Sequence, residues 1–192
     1  MRFSFFIIIF SALVFAKCKH TNYYEKETTI LDSTKIVLQV KLNELKKSEQ
    51  AIENLPYSKF NTYASFLKSN VKDTVGKTEG NALQLFIKSG LTIKEFNKRK
   101  TELIKQTETS IAQIQRLSFD LKENNVQLNV VQPYYNSERG HAEELIETIE
   151  QNIKALNLSL NNYRNSVSKT EEYIKQINNG QLPTVVADST LE

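Results

Sequence analysis

The residues best able to do chemistry in this 192-residue chain are few. Glu138-Arg139-Gly140-His141 has the Glu-x-x-His spacing that sets two metal ligands on one face of a helix. A di-metal bundle needs a second such pair and two more inward glutamates. The only other histidine is His20, in a short polar stretch near the N-terminus. Gly140 also weakens a helix locally, so His141 reads as a helix-start or loop residue, and no metal or cofactor is expected. Gly76-Lys77-Thr78 has the ending of a phosphate-binding loop, but position 71 is valine where that motif needs glycine, so a helix break is the reading. Glu143, Glu144, Glu147 and Glu150 fall opposite Leu145, Ile149 and Ile153, on a face where carboxylates are simply hydrated, and without desolvation they read as solvated surface. Lys98-Arg99-Lys100 likewise reads as solvated surface. The glycosylation-type triplet Asn157-Leu158-Ser159 lies within a helical repeat and reads as chance. No Ser/His/Asp or Cys/His arrangement can be assembled, so no catalytic residue is named and an enzyme is not expected.

The remaining reactive group is Cys18, the single cysteine. It follows Phe3–Ala16, an apolar run interrupted only by Ser4 and Ser11 and preceded by Arg2. Fourteen residues of helix would span about 21 Å, short of the ~30 Å hydrocarbon core of a bilayer, so the run reads as a signal-peptide core. An unpaired cysteine in an exported protein needs a reason. Leu13-Val14-Phe15-Ala16-Lys17-Cys18 resembles the lipobox of bacterial lipoprotein signals, with Phe15 and Lys17 departing from the usual residues. The resemblance covers the first 18 residues and implies cleavage before Cys18, lipidation of its thiol and attachment to a membrane. Ordinary cleavage after Ala16, giving a soluble periplasmic or secreted protein, stays open, as does an uncleaved N-terminal anchor.

Composition bounds the rest. Removing Arg2 and Lys17 with the signal leaves 23 basic residues against 22 acidic ones, so the pI near 8.8 gives no reason to expect nucleic-acid binding. Five glycines, three prolines and abundant Asn, Gln, Lys and Glu predict long helices with wet outer faces. Expected organisation is a signal over 1–17, a lipid-anchored tether over 18–24, a helical domain over 25–179 and a flexible C-terminal tail over 180–192.

The elements follow from periodicity. Leu31, Leu38, Leu45 and Ile52 recur every seven residues and predict a helix from Glu25 to Asn54-Leu55-Pro56. A second helix is expected over 57–75, burying Phe60, Tyr63, Ala64, Leu67 and Val71. Gly76 and Gly80 suggest a break, followed by a short helix ending at Ser89-Gly90. Thr92-Ile93-Lys94-Glu95 then has the form of a capping box opening a helix to about Asn124. Residues 126–137, with Pro133, read as an extended or irregular connector. Leu145, Ile149, Ile153, Leu156, Leu160, Tyr163, Val167, Thr170, Ile174 and Ile177 predict a long last helix, stopped by Asn178-Asn179-Gly180.

The fold expected is all-α: an elongated antiparallel bundle of four helices, up-down-up-down, with coiled-coil-like packing. A hairpin turning near residue 131 would set Leu103 beside Leu160 and Leu117 beside Ile146. This topology places Tyr57 at one turn and Tyr134 and Tyr135 at another, both at the end far from Cys18. Those three tyrosines are the candidate partner contacts, the competing reading being that they cap the core. The expected role is a non-enzymatic spacer or protein-interaction module of the bacterial cell envelope, anchored through Cys18 on an outer-membrane, periplasmic or surface face. Its partner would be an envelope protein; an immunity- or inhibitor-type lipoprotein blocking an incoming protein is the alternative, with a soluble ligand-binding helical protein behind it.

Overall fold

The computed structural model describes residues 23–53, 55, 57–71, 75–123, 125, 126 and 128–185. They form four helices, α1 (Glu25–Glu53), α2 (Tyr57–Asn70), α3 (Lys77–Lys122) and α4 (Leu128–Ile177), with no strand among the described residues. The protein is an all-α helical bundle. At about 1.5 Å per residue, the 50 residues of α4 run about 75 Å.

The seven-residue stripe of α1 is the seam of the bundle. Leu31, Leu38 and Leu45 are fully buried and Ile52 nearly so. Each leucine removed from water contributes roughly 1.5–3 kcal/mol, which offsets the modest helix propensity of the β-branched and hydroxyl residues around it. The stripe then continues across the break into Phe60, Tyr63 and Leu67 of α2, all buried.

That continuity sets the path of the chain. Along α1, Asp32 pairs with Lys122, Lys46 with Glu108 and Glu49 with Lys100. Along α2, Phe60 and Tyr63 meet Phe86. The partners on α3 descend steadily while α1 and α2 ascend, so both run antiparallel to α3. Against α4 the partners ascend together: Lys41 with Glu150, Phe60 with Tyr163 and Lys59 with Glu171. Hence α2 continues in the direction of α1, and the reversal expected around residue 56 is not made. Pro56, itself outside the described residues, ends a helical ladder because it lacks an N–H, but it does not dictate a U-turn. Two collinear segments sharing one apolar stripe bury more by staying in the same groove. Four helices therefore make three passes.

Two further expectations are corrected. The helix expected to end at Ser89-Gly90 does not end there; α3 runs unbroken from Lys77 to Lys122. Gly90 is buried against the Phe60 ring, and a Cβ at this position would clash with the ring's edge. Its glycine is a close-approach residue, not a C-terminal cap. Thr92 accordingly caps nothing: its hydroxyl donates 3.1 Å to the Lys88 carbonyl inside the helix.

The second concerns the hairpin. Of the connector expected over 126–137, residues 128–137 form the first turns of α4, which passes through an exposed Pro133. The missing N–H leaves one carbonyl without its ladder partner near the helix start, where water can replace it. The turn therefore falls between Lys122 and Leu128, earlier than expected. The pairing shifts with it: Phe86 stacks on Tyr163 at 5.2 Å, where the expected register would have set Phe86 opposite Ile177.

At the C-terminus, Asn179 (φ 51°) and Gly180 (φ 82°) adopt left-handed backbone, and the Gly180 N–H donates 2.8 Å to the Lys175 carbonyl. This cap folds the chain back, so Leu182 and Val185 pack on the core. Residues 186–192 of the expected tail lie outside the described residues.

Candidate functional site

Cys18 lies outside the described residues, as does the side chain of Tyr57. The tyrosine pair is divided by the helical turn. Tyr135 is buried with Tyr24, Leu121 and Val131, whereas its neighbour Tyr134 stands 48% exposed. Consecutive residues on a helix point about 100° apart, so one ring fills the core and the other faces solvent. Of the described pair, only Tyr134 could meet a partner directly.

The end they occupy also differs from the expected one. The Tyr24 hydroxyl donates to the Val126 carbonyl at 3.5 Å, and its ring shares a cluster with Val131 and Tyr135. The α3–α4 turn and the two tyrosines therefore sit at the end where the chain arrives from Cys18, not at the remote end. An odd number of passes requires this.

Apart from Glu138, the charged groups noted in the sequence sit at the surface. Glu138 is largely buried on α4 while His141, one turn on, is exposed; among the described residues no cluster of three or more His, Cys, Asp or Glu could hold a metal ion. Arg139 Nε donates 2.7 Å to Glu143, Glu147 accepts from Gln151, and Glu150 reaches Lys41 at 3.1 Å. Lys41 bridges Glu150 and Glu44, and the Glu150 hydrogen bond first, then Glu44, hold its ammonium above the usual lysine range. The Lys122 ammonium, 2.7 Å from Asp32, lowers that carboxyl, aided by the Ser118 hydroxyl at 2.9 Å. Lys41–Glu150 and Lys122–Asp32 tie helices together at their wet edges, whereas Arg139–Glu143, Gln151–Glu147 and Lys41–Glu44 stay within one helix, and each contributes little.

The feature not foreseen is an aromatic cluster in the half of the bundle built with α2. Phe60, Tyr63, Phe86 and Tyr163 contact one another with ring centroids 5.2–6.4 Å apart. At its margin, Glu171 Oε1 accepts hydrogen bonds from the Tyr63 hydroxyl at 3.0 Å and from Lys59 Nζ at 3.2 Å. Burial, then the Glu171 hydrogen bond, pushes Tyr63 up to about 12. Burial, then the nearby Tyr63 and Glu171, pushes Tyr163 to about 12 as well. The Tyr163 hydroxyl is enclosed without a hydrogen-bond partner among the described residues. Phenols held protonated in this way can donate hydrogen bonds but cannot act as bases near neutral pH. The pieces were visible in the sequence at 60, 63, 86 and 163; their convergence depends on the α2 path and on Gly90.

Among the described residues, two surface grooves stand out. One, of about 430 Å3, lies between α3 and α4 and is polar, with Glu102, Lys105, Gln106, His141 and Glu144 among its lining. The other, of about 460 Å3, lies between α2 and α3 and is apolar, formed by Leu67, Val71, Leu83, Ile87 and Leu91 with Gln84 and Lys88 at its edge. Among the described residues no helix is long and apolar enough to cross a membrane. No protein-family model, no curated protein and no solved structure matches this chain.

Proposed function

We propose that the protein is an exported lipoprotein held to a bacterial envelope membrane through lipidated Cys18, its helical bundle serving as a spacer or protein-interaction module without catalysis of its own. One observation carries the reading: the only cysteine of the chain stands two residues beyond an apolar run of signal-peptide length. An isolated thiol at that place has a use if it is the attachment point. In the lipoprotein class the cysteine carries several acyl chains, enough for stable anchoring where one chain binds only marginally. The long, solvated helices suit a rigid body standing on such an anchor.

Mass spectrometry of the mature N-terminus tests it. An acylated Cys18 peptide is expected, and Cys18→Ser should abolish the modification. A free Lys17 terminus with an unmodified thiol would sink the anchored reading. Recovery of a specific envelope partner from detergent-solubilised membranes is the expected companion result.

A further inference from the structure

We propose that the end of the bundle where the chain arrives from Cys18 is itself a membrane-contacting face, seated in the lipid interface through Tyr23, Phe119, Val130 and Tyr134. This deepens the anchored reading above and rests on it. These four side chains are 80%, 58%, 62% and 48% exposed, so the fold does not need them inside. The core at the same end is complete without them, filled by Tyr24, Leu121, Val131 and Tyr135.

All four sit close to this end. Tyr23 precedes α1, Phe119 is in the last turn of α3, and Val130 and Tyr134 occupy the first two turns of α4. Val130 and Tyr134 are four residues apart and so share one helical face. The length of chain outside the structure decides what lies opposite. Five peptide steps separate Cys18 from Tyr23, which span at most about 18 Å. An acylated Cys18 at the lipid surface keeps this end within that reach, long enough to let it rest in the headgroup layer, which is roughly 5–8 Å deep in each leaflet.

The chemistry of the residues fits that layer. Tyrosine combines an apolar ring with a polar tip and favours the boundary between headgroups and acyl chains, while Phe and Val favour its inner side. Charges near this end are of both signs, with Glu25, Glu27, Asp120 and Glu123 against Lys26 and Lys122, so attraction to anionic lipid is not what seats it. A zwitterionic phospholipid interface is the surface of matching chemistry. The outward end is then the one carrying Val71, Lys77 and Gly180.

The test uses the full-length protein, processed from its own signal and reconstituted in phosphatidylcholine vesicles. Single cysteines replacing Phe119, Tyr134, Leu158 or Ile177 carry a spin label, read by its relative accessibility to oxygen and to a water-soluble nickel chelate. Labels at 119 and 134 are expected to show several-fold lower nickel accessibility than those at 158 and 177. Replacing Tyr23, Val130 and Tyr134 together by serine, with circular dichroism showing the helices retained, should return a label at 119 to the aqueous value. The mass of the N-terminal peptide from the same sample separates the two readings. Acylated Cys18 with aqueous labels at 119 and 134 would overturn this proposal alone, as would labels there that are immobilised only when envelope protein is added. An unmodified Cys18 would overturn the anchor and this orientation together.

Discussion

The groove between α3 and α4 is filled twice along its length, by α1 and then by α2, and the two fillings work differently. The α1 half uses leucines at a constant spacing of seven, with ion pairs at Asp32, Lys41, Lys46 and Glu49 along its edges. The α2 half uses interlocked rings, a glycine that lets one ring reach the α3 backbone, and a partly buried Tyr–Glu–Lys contact. Leucine packing at regular spacing tolerates local adjustment because each layer resembles the next. Ring packing against a bare backbone is a single arrangement that one extra methyl can spoil. The difference teaches that length and periodicity suffice to build a helix seam, whereas a short 14-residue helix needs specific shape to stay docked.

Substitutions can break the comparison, and Leu38→Ala should have the largest effect. It empties a fully buried position and is expected to cost about 3 kcal/mol, within the usual range of 2–5, in denaturant unfolding. A loss under about 1 kcal/mol would mean that the α1 seam is loosely packed. Next comes Gly90→Ala. In an exposed helix this change gains about 1 kcal/mol. Here the new Cβ meets the Phe60 ring, which is hemmed in by Phe86 and Tyr163, so a net loss of about 2 kcal/mol is expected. Combining it with Phe60→Leu should recover part of that loss, and strict additivity would show that the clash is not the cause.

The two tyrosines should respond with opposite signs. Tyr63→Phe removes a hydroxyl that donates to Glu171 and should cost about 1 kcal/mol. Tyr163→Phe removes a buried hydroxyl that has no partner among the described residues and should stabilise by up to about 1 kcal/mol. Equal destabilisation by both would require a partner for Tyr163.

Alkali sharpens the same contrast. Each phenol has a folded pKa of about 12 against an ordinary 10.0, so the folded protein keeps protons that the unfolded chain has already lost. Their contribution is complete below pH 10 and falls as pH rises from 10 toward 12. Melting temperatures across that window should drop less in the Tyr63→Phe, Tyr163→Phe double variant. The smallest effect belongs to the α1 edge: Lys46→Ala, which breaks a half-exposed pair with Glu108, should change stability by less than about 0.5 kcal/mol.

How much was legible in the sequence follows the same division. The stripe at 31, 38, 45 and 52 encodes both helix and burial, because a seven-residue repeat keeps one face toward a neighbour. The last helix was legible from its own periodicity to its end at Ile177, and the all-α class followed. What failed were inferences from single punctuating residues. Gly90 reads as a terminator unless Phe60 is known to lie against it. Pro133 reads as a connector unless the preceding residues are known to be helical. Pro56 ends a helix in either topology, and only the partners on α3 reveal that the next helix continues forward. The candidate contacts suffered accordingly: treating 134 and 135 as irregular chain grouped two rings that a helix separates, and a four-pass topology put them at the wrong end.

Three passes also fix how the molecule would carry load. The described chain begins at the end holding the α3–α4 turn and finishes at the opposite one, beyond the left-handed cap at Asn179 and Gly180. Tension applied between Tyr23 and the C-terminal segment would act along the helix axes. To extend, α1 and α2 would have to slide against α3 and α4, straining many side-chain contacts together. A four-pass bundle, with both termini at one end, would instead be peeled open a layer at a time. The break between α1 and α2 thus makes the difference between shearing and unzipping.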